Sequence, residues 1–83
     1  MYKIIVSPKA IKELKIIKKL HREAFKKTLE SIAENPHEGK PLTKELVGKY
    51  SYRVGVYRII YIINKNDKAI NIVTAGHRSL VYR

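Results

Sequence analysis

Eighty-three residues of which 45 % are hydrophobic make one small domain, residues 1–83, with a core too apolar for a disordered chain. The absence of cysteine excludes a disulfide framework and a thiolate zinc site; His21, His37 and His77 are scattered, seven acids do not cluster with them, and no metal or cofactor is expected. Eighteen Lys and Arg against seven Asp and Glu, a net charge of +11, call for a polyanionic partner, either nucleic acid or a strongly acidic protein.

Lys3 to Val6 has the look of a short strand. The apolar segment at the start is too short for a secretory signal, and no run reaches the roughly 18 apolar residues of a membrane span. A cytoplasmic protein without membrane contact is expected. Ser7-Pro8 then opens a helix, with Ser7 as N-cap and Pro8 in the first position, where its missing N–H costs nothing. Ala10, Ile11, Leu14 and Ile17 recur at helical spacing, and Ile16 falls off that stripe. A second helix runs from about Leu20 to Glu34, with His21, Phe25, Leu29, Ile32 and Ala33 on one side. Neither Gly nor Pro separates the two. A single helix from Pro8 to Asn35 would let the stripes drift apart, so a helical hairpin is expected. Asn35-Pro36 ends it, because proline pushes its predecessor out of the helical region.

Residues 36–49 form a connector with two prolines and two glycines, read as a packed loop in which Leu42, Leu46 and Val47 plug the edge of the core. Three strands follow. Tyr50 to Val54 alternates. Gly55-Val56 fits a two-residue type II′ turn. Tyr57 to Ile63 is nearly continuous in apolar character, as a central strand covered on both faces should be. After the turn 64–68, Ala69 to Ala75 alternates again. The expected fold is α+β in the order β-α-α-β-β-β, one antiparallel four-stranded sheet with the helical hairpin packed on one face.

The chemistry sits on arginines. Period two puts Arg58 on one strand face with Ile60 and Ile62, where an unpaired charge is expensive. It needs an anion or a satisfied network; the plainer reading is a surface-facing arginine, or one paired with Glu45. Arg53 lies across the Gly55-Val56 turn and adds a second donor fork. Arg78 follows Gly76-His77, and guanidinium clusters bind phosphate bidentately. His77 is a side-chain type suited to acid–base work, although a polar strand end explains it equally. Tyr50 and Tyr82 have the shape to stack on nucleobases, against edge-of-core packing as the alternative. With no Walker loop, nucleophile elbow or clustered acids, a nuclease built on these residues is metal-independent and uses the RNA 2′-OH.

Three segments carry a resemblance: Asn35-Pro36-His37-Glu38-Gly39-Lys40-Pro41-Leu42, then Tyr50-Ser51-Tyr52-Arg53-Val54-Gly55-Val56-Tyr57-Arg58-Ile59-Ile60-Tyr61, then Gly76-His77-Arg78 with Val81-Tyr82-Arg83. Together with the element order and size they resemble the RelE/ParE toxin superfamily over essentially the whole chain. The resemblance implies a type II toxin–antitoxin toxin. RelE-type members are ribosome-dependent mRNA endoribonucleases that use 2′-OH attack, and an acidic antitoxin silences them. Carried over, it assigns Arg53 to the second place of a basic-x-basic pair, whose first place here is Ser51. It assigns Arg58 and Arg78 to the phosphate, and Tyr82 to stacking on or acting at the substrate. His77 is an alternative proton carrier, and Lys12, Lys15 and Lys19 are expected to bind ribosomal RNA. The ParE branch shares the scaffold but inhibits DNA gyrase. A third possibility is a member without catalysis that only binds its antitoxin and operator complex.

Overall fold

The computed structural model describes residues 1–17, 19–43 and 47–77. The elements are β1 (Lys3–Val6), α1 (Pro8–Lys15), α2 (Lys19–Glu34), a 3-10 turn (Pro36–Glu38), β2 (Lys40–Pro41), β3 (Lys49–Val54), β4 (Tyr57–Asn64) and β5 (Ala69–His77). The α+β class and the two helices are as expected. The sheet is not: it has five strands in the order β1-β5-β4-β3-β2. It is mixed, because β1 runs parallel to β5 while the other pairs are antiparallel.

Both departures have a physical origin. A four-residue strand alternates identically whichever way its neighbour runs, so side-chain pattern does not encode direction. The direction is fixed by main-chain bonds at the two ends of β1: Lys3 N–H donates to Lys68 O at 3.0 Å, and Ser7 N–H to Ile72 O at 3.0 Å. The extra strand, β2, lies inside the expected connector and pairs Lys40 with Ser51 and Pro41 with Tyr50. Two residues are too few for an alternation signal, and an edge position tolerates proline. In the same connector Leu42 is half-buried, Val47 is 72 % exposed and plugs nothing, and Leu46 lies outside the described residues.

Helix α1 begins as its sequence dictates. Ser7 Oγ accepts the Ala10 N–H at 3.1 Å, and Pro8 takes the first turn. Ala10 and Ile17 are buried, whereas Ile11 is exposed despite its helical spacing. The break before α2 needs no glycine because an arginine caps it. Arg22 donates from Nη2 to Lys15 O at 3.1 Å and from Nε to Ile17 O at 3.3 Å, taking up carbonyls that the end of a helix leaves orphaned. The helices meet the sheet separately: α1 packs along β5, and α2 packs on β1, β3 and the 3-10 turn. They are thus placed strand by strand, not docked as one hairpin unit.

The core lies between the helices and one sheet face. Ile32 and Phe25 of α2 meet Ile59 and Tyr61 of β4 and Ile70 and Ile72 of β5. Tyr61 is fully buried and its hydroxyl is satisfied twice, donating to Pro36 O at 2.7 Å and accepting the Gly39 N–H at 3.0 Å. A Cβ at residue 39 would collide with that hydroxyl, which explains the glycine after His37-Glu38.

Candidate functional site

Cross-strand register sorts side chains to the two faces, since paired residues project together. Ile59 and Tyr61 point at the helices. Arg58 and Ile60 therefore point the other way. Arg53 pairs directly with Arg58 across the β3–β4 hairpin, and Gly76 pairs with Arg58 from β5. The row Arg53–Arg58–Gly76 thus crosses three strands on the face away from the helices. Gly55, at φ +61, makes the turn that sets this register.

Two like charges directly opposite in a sheet are destabilising. Arg53 is exposed and its Nε donates to Gly55 O at 3.3 Å, while Arg58 is half-buried. Gly76 puts no side chain beside the Arg58 guanidinium. A pocket of about 480 Å³ adjoins the pair, lined by Glu38, Gly39, Lys40, Leu42, Ser51 and Tyr52 together with both arginines. Ser51 is buried at 6 % exposure, next to Lys40 of β2. Burial, with Glu38 nearby, raises the Tyr52 hydroxyl above its ordinary value of 10.0, and the hydroxyl donates to Glu38 Oε1 at 3.4 Å. The second Glu38 oxygen accepts from Ser31 Oγ at 2.7 Å. The pocket therefore combines three cationic side chains with one hydrogen-bonded carboxylate. It can hold an anion against a planar, donor-rich wall.

The structure brings only part of the expected residue set together. Arg53 and Arg58 converge. His77 does not join them. It pairs with Tyr57 on the helix side, with ring centroids 6.1 Å apart, and His21 meets the same tyrosine at 5.2 Å. Tyr50 is also on the helix side, stacked on Tyr61 at 5.6 Å and 16° and set edge-on to His37 at 5.7 Å. Lys12 and Lys15 are exposed on α1, and Lys19 is exposed but opens α2, not the first helix. Arg78 and Tyr82 lie outside the described residues. Lys40 and Glu38 were missed as pocket residues, because the two-residue strand β2 that carries Lys40 and the short 3-10 turn that carries Glu38 have no readable period. Among the described residues no three His, Asp or Glu gather as a metal site, and no helix is long and apolar enough to cross a membrane.

On the opposite side, a groove of about 570 Å³ is lined by Tyr2, Ile4, Leu14, Ile17, Phe25 and Leu29, with Lys3, Arg22, Lys26 and Glu30 as its charged residues. It is almost wholly apolar inside.

Comparison with known proteins fits this architecture. The chain is 42 % identical over 45 residues to Toxin RelG of Mycobacterium tuberculosis, 54 % of this chain and 52 % of that protein. It is 40 % identical over 53 residues to Toxin RelE of the same organism, 63 % of this chain and 55 % of that protein. These matches span about half the length of the curated relatives. The fold superposes on a chain of the RelBE2 toxin–antitoxin complex of M. tuberculosis with a TM-score of 0.86, 28 % identity, and coverage of 93 % of this chain and 98 % of that one. On the isolated RelE toxin of E. coli the TM-score is 0.80 at 24 % identity, covering 99 % and 92 %, which is a likeness of fold. The model of the ParE toxin of the type II toxin–antitoxin system parDE matches residues 4–82. The chain belongs to this family of toxins, within the RelE/ParE superfamily.

Proposed function

We propose that this protein is a RelE-like toxin that cleaves mRNA on the ribosome, in the cytoplasm, without a metal. The observation that carries the reading is the Arg53–Arg58 pair facing Gly76 on the sheet face away from the helices, beside a pocket with Lys40. The RelE and RelG relatives support it. In this reaction the RNA 2′-oxygen attacks the adjacent phosphorus and the 5′-oxygen leaves. The 2′-OH gives up a proton and the leaving oxygen gains one, so the products are a 2′,3′-cyclic phosphate and a 5′-OH. Arg58 and Arg78 clamp the scissile phosphate and stabilise its growing charge. Arg53 and Tyr82 serve stacking and proton transfer. His77, placed beside Tyr57, serves from the helix side only if substrate reaches around the end of β5. Lys12, Lys15 and Lys19 attract ribosomal RNA, and Tyr50 is a packing residue first.

The partner that silences such a toxin is an acidic antitoxin. The apolar groove, where Lys3, Arg22 and Lys26 outnumber Glu30, suits an amphipathic segment with acidic flanks.

Ribosomes programmed with mRNA test the reading. Wild type is expected to cut in the A site, and Arg58→Ala or Arg78→Ala to slow cutting by about 10² or more. No cleavage by wild type, or undiminished cleavage by both variants, overturns it. The ParE-type alternative, inhibition of DNA gyrase, is favoured by the family model that matches and by the small, buried Ser51 where the resemblance expects a basic residue. It predicts loss of supercoiling activity with intact RNA.

A further inference from the structure

We propose that Glu13 is a positioning residue for the arginine face, acting through a β-bulge in β5; this rests on the reading of that face as the RNA site. Strand β1 ends its pairing at Val6↔Ile72. Beyond that point the outer edge of β5 is taken over by side chains of the α1 region. Ser7 Oγ donates to Val73 O at 2.9 Å. Thr74 Oγ1 lies 2.7 Å from both Glu13 carboxylate oxygens, and the Ala75 N–H donates to Glu13 Oε1 at 3.2 Å. Glu13 is the sole acid of α1, in a helix otherwise studded with lysines. Its carboxylate is half-buried against neutral donors of β5.

These bonds bracket an irregularity in register. Ile60 pairs with Thr74, yet the next residue, Tyr61, pairs with Ile72, so Val73 is an extra residue. A bulge reverses which face each later side chain takes and is a means of re-aiming a site. Before it, Ile70 and Ile72 face the helices. After it, Ala75 does, which leaves Thr74 and Gly76 on the face of Arg58. Without the extra residue, Ala75 would stand where Gly76 now gives Arg58 room. The chain also leaves His77 in the bulge-set phase, one residue before Arg78. Glu13 and Ser7 thus lock the phase in which β5 meets the arginines.

The test uses the protein's own charge. Glu13→Ala and Glu13→Gln remove the same negative charge, and only the glutamine keeps an acceptor for Thr74 and Ala75. A fluorescent 2′-O-methyl RNA oligonucleotide, which cannot be cut, is titrated against wild type, both variants and Arg58→Ala. Amide exchange at Ala75 is followed alongside. Loss of charge alone tightens RNA binding equally in both variants. Positioning predicts that Glu13→Ala binds about tenfold more weakly than wild type, that Glu13→Gln stays near wild type, and that Glu13→Ala adds no loss in the Arg58→Ala background. Ala75 exchange should accelerate in Glu13→Ala. If Glu13→Ala fails to fold, Thr74→Val, which leaves the charge in place, is expected to show the same weakening. Equal binding by Glu13→Ala and Glu13→Gln overturns the positioning role while leaving the arginine site intact. Unchanged binding by Arg58→Ala overturns the arginine site itself and the proposal with it.

Discussion

One phenol hydroxyl at Tyr61 closes two segments of the chain onto each other. It gives its proton to Pro36 O and takes that of Gly39 N–H, inside the core. Tyr61→Phe leaves both main-chain groups buried without that partner, and a loss of about 1–3 kcal/mol is expected in denaturant unfolding at neutral pH. The pH dependence carries a sign. Burial is the main cause that raises the Tyr61 hydroxyl above its ordinary value of 10.0, with the Gly39 N–H pulling the other way. Above pH 10 the unfolded chain therefore releases this proton before the folded one does. The contribution is fully present below pH 10 and is lost as pH rises beyond it. The stability gap between wild type and Tyr61→Phe should narrow between pH 9 and the alkaline limit of folding. A constant gap would show that the hydroxyl's protonation is not linked to folding. Arg58 illustrates the other kind of residue: it stands directly opposite Arg53, and like charges so placed oppose the pairing of the two strands.

Among the elements, the β3–β4 hairpin is the most local and the most legible. Gly55 holds φ +61 and is open to solvent, so Gly55→Ala meets no steric neighbour and suffers only backbone strain, about 1–2 kcal/mol. Thermal melting should show that loss. RNA affinity should fall with it if the turn sets the spacing of Arg53 and Arg58. The Ser7 cap was equally readable, because Ser-Pro followed by a helical stripe is a local signal. What could not be read was non-local. The α1–α2 break depends on Arg22 reaching back to Lys15 and Ile17 carbonyls, which no spacing of apolar residues announces. The direction of β1 and the two residues of β2 leave no period. The bulge at Val73 reverses the face of the described residues after it, so His77 lies on the helix side, whereas Arg53 and Arg58 share the other face, as alternation alone leads one to expect. Tyr50 went astray for a different reason: an aromatic at a strand start suits stacking on a base and stacking on Tyr61 equally well.

For the molecule as a whole, a net charge of +11 stands beside an apolar groove, and the proposed antitoxin would meet the two with acidic and apolar character together. Binding of an acidic antitoxin, measured by calorimetry, should weaken as salt rises from 0.05 to 0.5 M, because screening shortens the reach of surface charge. A residual affinity should persist at high salt from the groove, whose walls are indifferent to ionic strength. Affinity independent of salt would mean that neutralisation is not the main force. The same field weakens the compact state by self-repulsion, so moderate salt should raise the melting temperature of the free protein.

The parallel join of β1 to β5 has a consequence in time. The Ser7–Val73 contact spans 66 residues of chain, and contacts of such separation must pay loop-closure entropy before they return anything. The hairpin of β3 and β4 and the two helices can organise early from near neighbours. The N-terminal strand has to wait for β5, and with it wait Ser7, Glu13 and the bulge they hold. By contact separation the edge of β5 beside the arginines is expected to align after the β3–β4 hairpin.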